Sequence, residues 1–189
     1  TAVQAGSLAN LGGNPASFNP AQLLLNNGTL QPLASFALNN PNSGVTIGAN
    51  GGNFNVASGL TLTISNRIAG AGDHVCGGGG TVRITGNNSA TGNLIVSNST
   101  LTLRGDAVFK NAQLTVGSDA VLDVTALNVP LAIGNRITLS GNLMATINKS
   151  GFTSLLVASN LTCGGTLTLS NTGPALVYGD TIKLFSASN

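Results

Sequence analysis

Apolar residues alternate with other residues in short runs along most of this chain. The clearest stretch spans residues 77–105, in which three pairs of apolar residues are each separated by one position. The pairs are Val82 and Ile84, Leu94 and Val96, and Leu101 and Leu103. Because successive side chains of a strand point to opposite faces, each pair predicts a short strand with one apolar face and one hydrated face.

Runs of the same kind recur, and glycine, asparagine, serine or aspartate separates most of them. They lie at residues 54–56, 60–64, 82–84, 101–103, 114–116, 121–124, 137–139, 155–157, 167–169 and 182–184. Evenly spaced short strands suit sandwiches, barrels and solenoids, but a local pattern that repeats about every 20 residues favours a solenoid. We therefore predict an all-β fold, a right-handed parallel β-helix of about 20 residues per coil. Stacking at about 4.8 Å per coil would give the coils one continuous core.

The whole chain is predicted to form one solenoid domain over residues 1–189. Residues 1–29 are expected to form an entry or cap-like segment, and residues 30–189 the coils. Within the coils, the glycine-rich sequence at 69–80 predicts a loop excursion from the solenoid.

One short segment near the N-terminus has helical features. Asn19 can cap a helix and Pro20 suits its first turn, which predicts a helical turn or two ending near Leu25. A strand over residues 23–25 is the alternative, and the sequence leaves both open.

Composition narrows the classes of function. Charged residues make up 6% of the chain, against about 25% in ordinary globular domains, and 26 glycines accompany a hydrophobic content of 42%. The net charge is +2 without a basic stripe, and the chain has no Trp and one Tyr, so nucleic-acid binding is not expected. No run approaches the roughly 18 apolar residues that span a bilayer, so membrane insertion is not expected either.

The two cysteines are the most distinctive single residues. Cys76 and Cys163 are separated by roughly four coils, or about 20 Å along the axis, whereas a disulfide needs Cα atoms within about 7 Å. An intrachain disulfide is therefore not expected. Two interpretations remain: free thiols, or an intersubunit disulfide from Cys76 of one molecule to Cys163 of another.

Neither a metal site nor a bound cofactor is predicted, because two isolated cysteines and one histidine make no ligand cluster. The neighbours Asp73, His74 and Cys76 include a base and a nucleophile, but adjacent residues in a glycine-rich loop are poorly held for catalysis. A surface contact loop is the preferred interpretation of this segment.

Polysaccharide-cleaving enzymes share the β-helix fold and use clustered carboxylates. Here Asp106 and Asp119 follow Gly or Ser in turn-like settings, and only Asp123 lies within a predicted strand. We therefore expect that the protein is not an enzyme, with a polysaccharide-cleaving enzyme as a remaining alternative.

Threonine pairs raise the question of an ice-binding ladder. They are Thr61 and Thr63, Thr100 and Thr102, and Thr166 and Thr168. A ladder should repeat at every coil, and the strand propensity of threonine accounts for the pairs without a ligand.

Several segments resemble the autotransporter-associated β-strand repeats of bacterial cell-surface passenger proteins. They are Gly-Val-Thr-Ile-Gly at 44–48, Phe-Asn-Val-Ala-Ser-Gly-Leu-Thr-Leu-Thr-Ile-Ser at 54–65 and Gly-Thr-Val-Arg-Ile-Thr-Gly at 80–86. The sequence at 161–171 and 179–187 is similar to the closing segment of the same proteins. This resemblance implies a parallel β-solenoid exposed outside a bacterium, serving as adhesin, stalk or matrix.

The expected function is that of an extracellular or cell-surface structural protein of a bacterium. In the first version, copies stack end to end into a fibre or surface matrix, with assembly edges at Leu23, Leu25, Ile182 and Leu184. In the alternative version, the chain is a segment of a cell-surface adhesin that binds host or matrix glycans.

Overall fold

The chain is wound into stacked coils of short parallel strands. The computed structural model describes residues 1–107, 109–153 and 155–187. Its strands are β1 (Ala2–Ala5), β2 (Asn19–Leu25), β3 (Gly28–Pro32), β4 (Phe36–Leu38), β5 (Ser43–Ile47), β6 (Gly52–Asn55), β7 (Thr61–Ile64), β8 (Ile68–Gly70), β9 (His74–Gly77), β10 (Thr81–Ile84), β11 (Leu94–Val96), β12 (Thr100–Gly105), β13 (Gln113–Val116), β14 (Val121–Leu127), β15 (Leu131–Ala132), β16 (Arg136–Leu139), β17 (Asn142–Ile147), β18 (Leu156–Ala158), β19 (Asn160–Cys163), β20 (Thr166–Asn171) and β21 (Phe185–Ala187). A 3-10 turn spans Leu8–Leu11.

The strands form parallel sheets on three faces of the solenoid. The first face is an eight-stranded sheet in the order β1-β3-β6-β9-β11-β13-β16-β19, and the second is a seven-stranded sheet from β4 to β20. Two three-stranded sheets, β2-β5-β8 and β15-β18-β21, lie on the third face. The prediction of a right-handed parallel β-helix is confirmed.

The core consists of columns of inward-facing side chains, one from each coil. On the first face, the register places one such column in the order Val3, Leu30, Phe54, Cys76, Val96, Val116, Leu139, Cys163. Its six inner members are all buried. Each coil alone could not bury these side chains, so the stacking of coils creates the core.

Coil length varies more than the sequence pattern predicts. Register partners are 20 residues apart at Asp73 and Asn93 but 27 apart at Gln4 and Gln31. The prediction of about 20 residues per coil is therefore right for the middle of the solenoid. Towards both ends, longer connections between the faces lengthen the coils.

The predicted helix at the N-terminus is wrong, and the alternative strand is confirmed. Asn19–Leu25 is strand β2, which pairs with β5, and a register shift separates the pairs at Asn19 and Leu23. The Asn19 side chain accepts a hydrogen bond from the Ala21 N–H at 3.0 Å, an Asx turn that here leads into a strand and not into a helix. The short helical turn lies earlier, at Leu8–Leu11.

Residues 1–29, predicted as an entry or cap-like segment, are part of the solenoid, because β1 pairs in parallel with β3.

The predicted loop excursion at 69–80 is wrong. Strand β8 ends at Gly70 and pairs with β5, and β9 pairs with β6 and β11. A side chain at Gly72 would overlap the backbone of Gly48, so glycine here allows two coils to approach closely.

No helix within the described part of the chain has the length and apolar character needed to span a bilayer.

Candidate assembly site

The C-terminal end of the solenoid leaves an apolar surface uncovered. Strands β19, β20 and β21 are each the last of their sheet, and every residue of β20 is exposed. Leu167 and Leu169 continue the inward columns of Leu143 and Ala145, yet they are 41% and 40% exposed. Side chains that are buried in earlier coils are thus open to solvent in the last one.

The N-terminal end is open on two faces and partly covered on the third. Strands β1 and β2 are the first of their sheets, and Val3 of β1 is 44% exposed. On the second face the 3-10 turn Leu8–Leu11 lies beside β4, and Leu8 and Leu11 pack against the core. This end therefore combines two free strand edges with an apolar turn.

The predicted assembly edges are placed partly as expected. Leu23 and Leu25 lie in β2, where Leu25 is buried and Leu23 is partly buried against the core. Ile182 and Leu184 are not in a strand, because the edge strand begins at Phe185. A turn precedes it, in which Asp180 accepts a hydrogen bond from the Val177 N–H and pairs with Lys149 at 2.9 Å.

Exposed large apolar side chains occur near the two ends of the solenoid. They are Val3, Phe18, Leu24, Leu33, Phe152, Leu167, Leu169, Leu176, Val177 and Tyr178. Among the described residues, none lies between positions 34 and 151. Scattered exposed apolar residues need no explanation, but their confinement to the two coils at each end makes the ends candidates for a contact surface.

The terminal strands carry no charged side chains, although Lys149, Asp180 and Lys183 lie near the C-terminal end. No Asp, Glu, Lys or Arg occurs before Arg67, and β19, β20 and β21 contain none. Burying these strands against another surface would therefore remove no charged side chain from water. The absence of charge before Arg67 is visible in the sequence, whereas the identity of the terminal strands is not.

Cys76 and Cys163 belong to the same inward column and are four strand pairings apart. Cys76 is 0% exposed, and burial raises the pKa of its thiol to about 12. Cys163 lies on the last strand of the sheet and is exposed. The predicted disulfide from Cys76 of one molecule to Cys163 of another is incompatible with this fold, because no second molecule can reach Cys76.

His74 and Cys76 are shielded from solvent, whereas Asp73 is exposed. His74 and Cys76 both point into the core, and His74 is 1% exposed. Burial lowers the pKa of His74 to about 4, although a backbone hydrogen bond to Gly72 and the charge of Asp73 act in the opposite direction. The Asp73 carboxylate instead accepts hydrogen bonds from Asn93. The predicted surface contact loop is therefore a strand with a buried histidine.

The Asp123 carboxylate is held by a neighbour on its own strand. Its Oδ1 accepts hydrogen bonds from the Thr125 N–H and hydroxyl at 3.0 and 2.6 Å. Among the described residues, no three of the His, Cys and Asp side chains group closely enough to hold a metal ion.

Three threonines form a short ladder on the second face. Thr61, Thr81 and Thr100 are register partners on consecutive coils, and Val121 and Asn142 follow them. The spacing of threonine pairs does not predict this ladder, because Arg83 stands where a second threonine would complete a pair with Thr81.

No family model, no curated protein and no solved structure matches this chain.

Proposed function

We propose that this protein is a structural subunit of the bacterial cell surface or extracellular space, and that its copies assemble end to end into a fibre or matrix. The main support is the confinement of exposed large apolar side chains to the two coils at each end. The free edges of β19, β20 and β21 at one end and of β1 and β2 at the other add unpaired backbone groups. A head-to-tail contact between unlike ends generates a filament when it does not close.

The bacterial surface location rests on the resemblance to passenger repeats and on the low content of charge. The absence of charged side chains from the terminal strands β1, β2, β19, β20 and β21 removes one source of repulsion between copies. A fibre of this kind needs no ligand or cofactor.

Replacing Leu167 and Leu169 together with lysine is expected to abolish end-to-end assembly. Both side chains are already exposed, so the monomer should remain folded, while two charges would enter any contact formed by β20. Electron microscopy and sedimentation of the purified chain would show filaments for the original protein and monomers for the variant.

Thr115→Lys provides the matched control, because Thr115 is an outward residue of β13 in the middle of the solenoid. It should leave filaments unchanged. If the original protein stays monomeric at high concentration, or if the double variant still forms filaments, the end-to-end contact through β20 is wrong.

A second candidate function is glycan binding as part of a surface adhesin, favoured by a groove on the third face. The residues that line it are Arg67, Asn87, Asn88, Ser89 and Lys110, with no carboxylate among them. Arg67 Nε donates to Ser89 Oγ at 2.8 Å, so these two lining side chains are held together. This chemistry fits a sulfated or carboxylated polysaccharide.

Lys110→Ala is expected to weaken the binding of heparin, used as a model sulfated polysaccharide, and to reduce the dependence of binding on salt. Lys183→Ala removes the same charge outside this groove and serves as the control. Equal binding by both variants, measured by titration at two salt concentrations, would exclude this groove as the site.

A further inference from the structure

We infer that the junction between two copies has a fixed register, in which β19 of one copy pairs in parallel with β1 of the next and Cys163 lies beside the partner's Val3. This inference rests on the proposed end-to-end assembly and adds to it the alignment of the two copies. The occupant of the open C-terminal end is thus the N-terminal end of a second copy.

The register follows from the inward column that begins at Val3 and ends at Cys163. Val3 is the register partner of Leu30 at one end, and Cys163 is the register partner of Leu139 at the other. Placing the next copy so that this column continues brings Val3 directly after Cys163. Every inward column on this face would then run through the junction without a break.

A slip of one residue is excluded by the alternation of side chains. It would turn the inward residues of β1 towards solvent and place Gln4, which is exposed, in the core column. Such a junction would bury a polar side chain and expose apolar ones. It would therefore lose most of the apolar surface burial that favours the contact.

A slip of two residues keeps the alternation but misaligns the other two faces. It displaces one copy by about 6.6 Å along the strand direction, and all three faces belong to the same rigid coil. In the unslipped register, Leu167 and Leu169 of β20 meet the turn that carries Leu8 and Leu11, and β21 meets β2. One alignment therefore satisfies the three faces together.

The two surfaces also match in burial and charge. Val3 and Cys163 are both exposed in the single copy, whereas the next residue of the column, Leu30, is fully buried. No charged side chain occurs before Arg67 or in the three C-terminal edge strands. The junction would thus bury apolar side chains and pair strand edges without burying a charge from these segments.

Cysteine cross-linking tests the register. Paired strands lie about 4.8 Å apart, within the Cα separation of roughly 4.4–6.8 Å that a disulfide accepts. The background is Cys76→Val, since valine occupies the same column at Val96 and Val116. Two variants are compared in it: Val3→Cys, which faces Cys163 in the inferred register, and Gln4→Cys, which faces the opposite side of the strand.

Each protein is assembled in reductant, examined by electron microscopy, and then oxidised with diamide, which accepts the two electrons and two protons released by each pair of thiols. On a non-reducing gel, Val3→Cys is expected to give a ladder of covalent multimers that reductant collapses to monomer. Gln4→Cys is expected to give no ladder, although its filaments look the same.

The outcomes separate the register from the assembly. Filaments without a Val3→Cys ladder, or a ladder from Gln4→Cys instead, would overturn the register and leave the fibre standing. Covalent dimers in the background protein, joined through two copies of Cys163, would show a tail-to-tail contact and overturn the inference. The absence of filaments and ladders in every sample would overturn the proposed assembly itself.

Discussion

Replacing Gly70 with alanine is expected to destabilise the solenoid by about 3 kcal/mol or more. Gly70 ends β8 with a φ of +110°, a conformation that residues with a side chain rarely adopt. A Cβ at this position would also overlap the backbone of Ile47, the register partner of Gly70 on the preceding coil. Either the strand pairing or the buried Ile47 must move to make room.

Gly13→Ala is the matched control for this prediction. A Cβ at Gly13 would meet no atom within 4 Å, and its backbone is not in the left-handed region. Its effect should stay within about 0.5 kcal/mol. Urea unfolding followed by circular dichroism would compare the two midpoints, and equal stability of the two variants would show that the coils do not approach each other as closely as described.

Acidification from pH 7 to pH 4 is expected to destabilise the protein by up to about 3 kcal/mol through His74 alone. The ordinary pKa of histidine is 6.5, and burial lowers that of His74 to about 4 in the folded protein. The folded state therefore holds His74 neutral, while the unfolded chain binds a proton below pH 6.5. This contribution to stability is complete above pH 6.5, is lost progressively between pH 6.5 and about 4, and changes no further below that.

The position of the side chain explains the size of this effect. His74 lies in an inward column between Gly52 and Leu94, and its Nδ1 has no hydrogen-bond partner. A charged imidazole would have to be accommodated among apolar neighbours.

His74→Leu supplies the control, since leucine is the residue of the next coil in the same column. His74 is the one histidine of the chain, so the urea midpoint of this variant should hardly change between pH 7.5 and pH 5, while that of the original protein should decrease. A parallel decrease in both proteins would assign the acid sensitivity to other groups.

The coil architecture could be predicted because period-two alternation reports directly on strand faces. Val82 and Ile84, for example, lie inward as the pattern predicts. The prediction of a loop failed where a high glycine content suggests a turn but the packing of neighbouring coils requires a strand. Residues 69–80 look like a loop, yet Gly72 is needed for close approach between coils.

The assembly surfaces could be predicted only in part, since exposure depends on which coil lies last. Leu167 and Leu169 have the same local pattern as Leu101 and Leu103, which are fully buried. Nothing in the pattern distinguishes an inner strand from an edge strand. The burial of Cys76 is likewise a property of the stacked column, whereas its separation from Cys163 follows from the chain spacing.

The ladders between coils run along the axis, and each coil pairs with its immediate neighbours. Tension applied between the two chain ends would first peel away an outermost coil, because its strands are held on one side only. Each released coil of 19 to 29 residues would lengthen the chain by about 60–100 Å at full extension. Under tension the solenoid would then unfold coil by coil, in several small steps and not in one cooperative event.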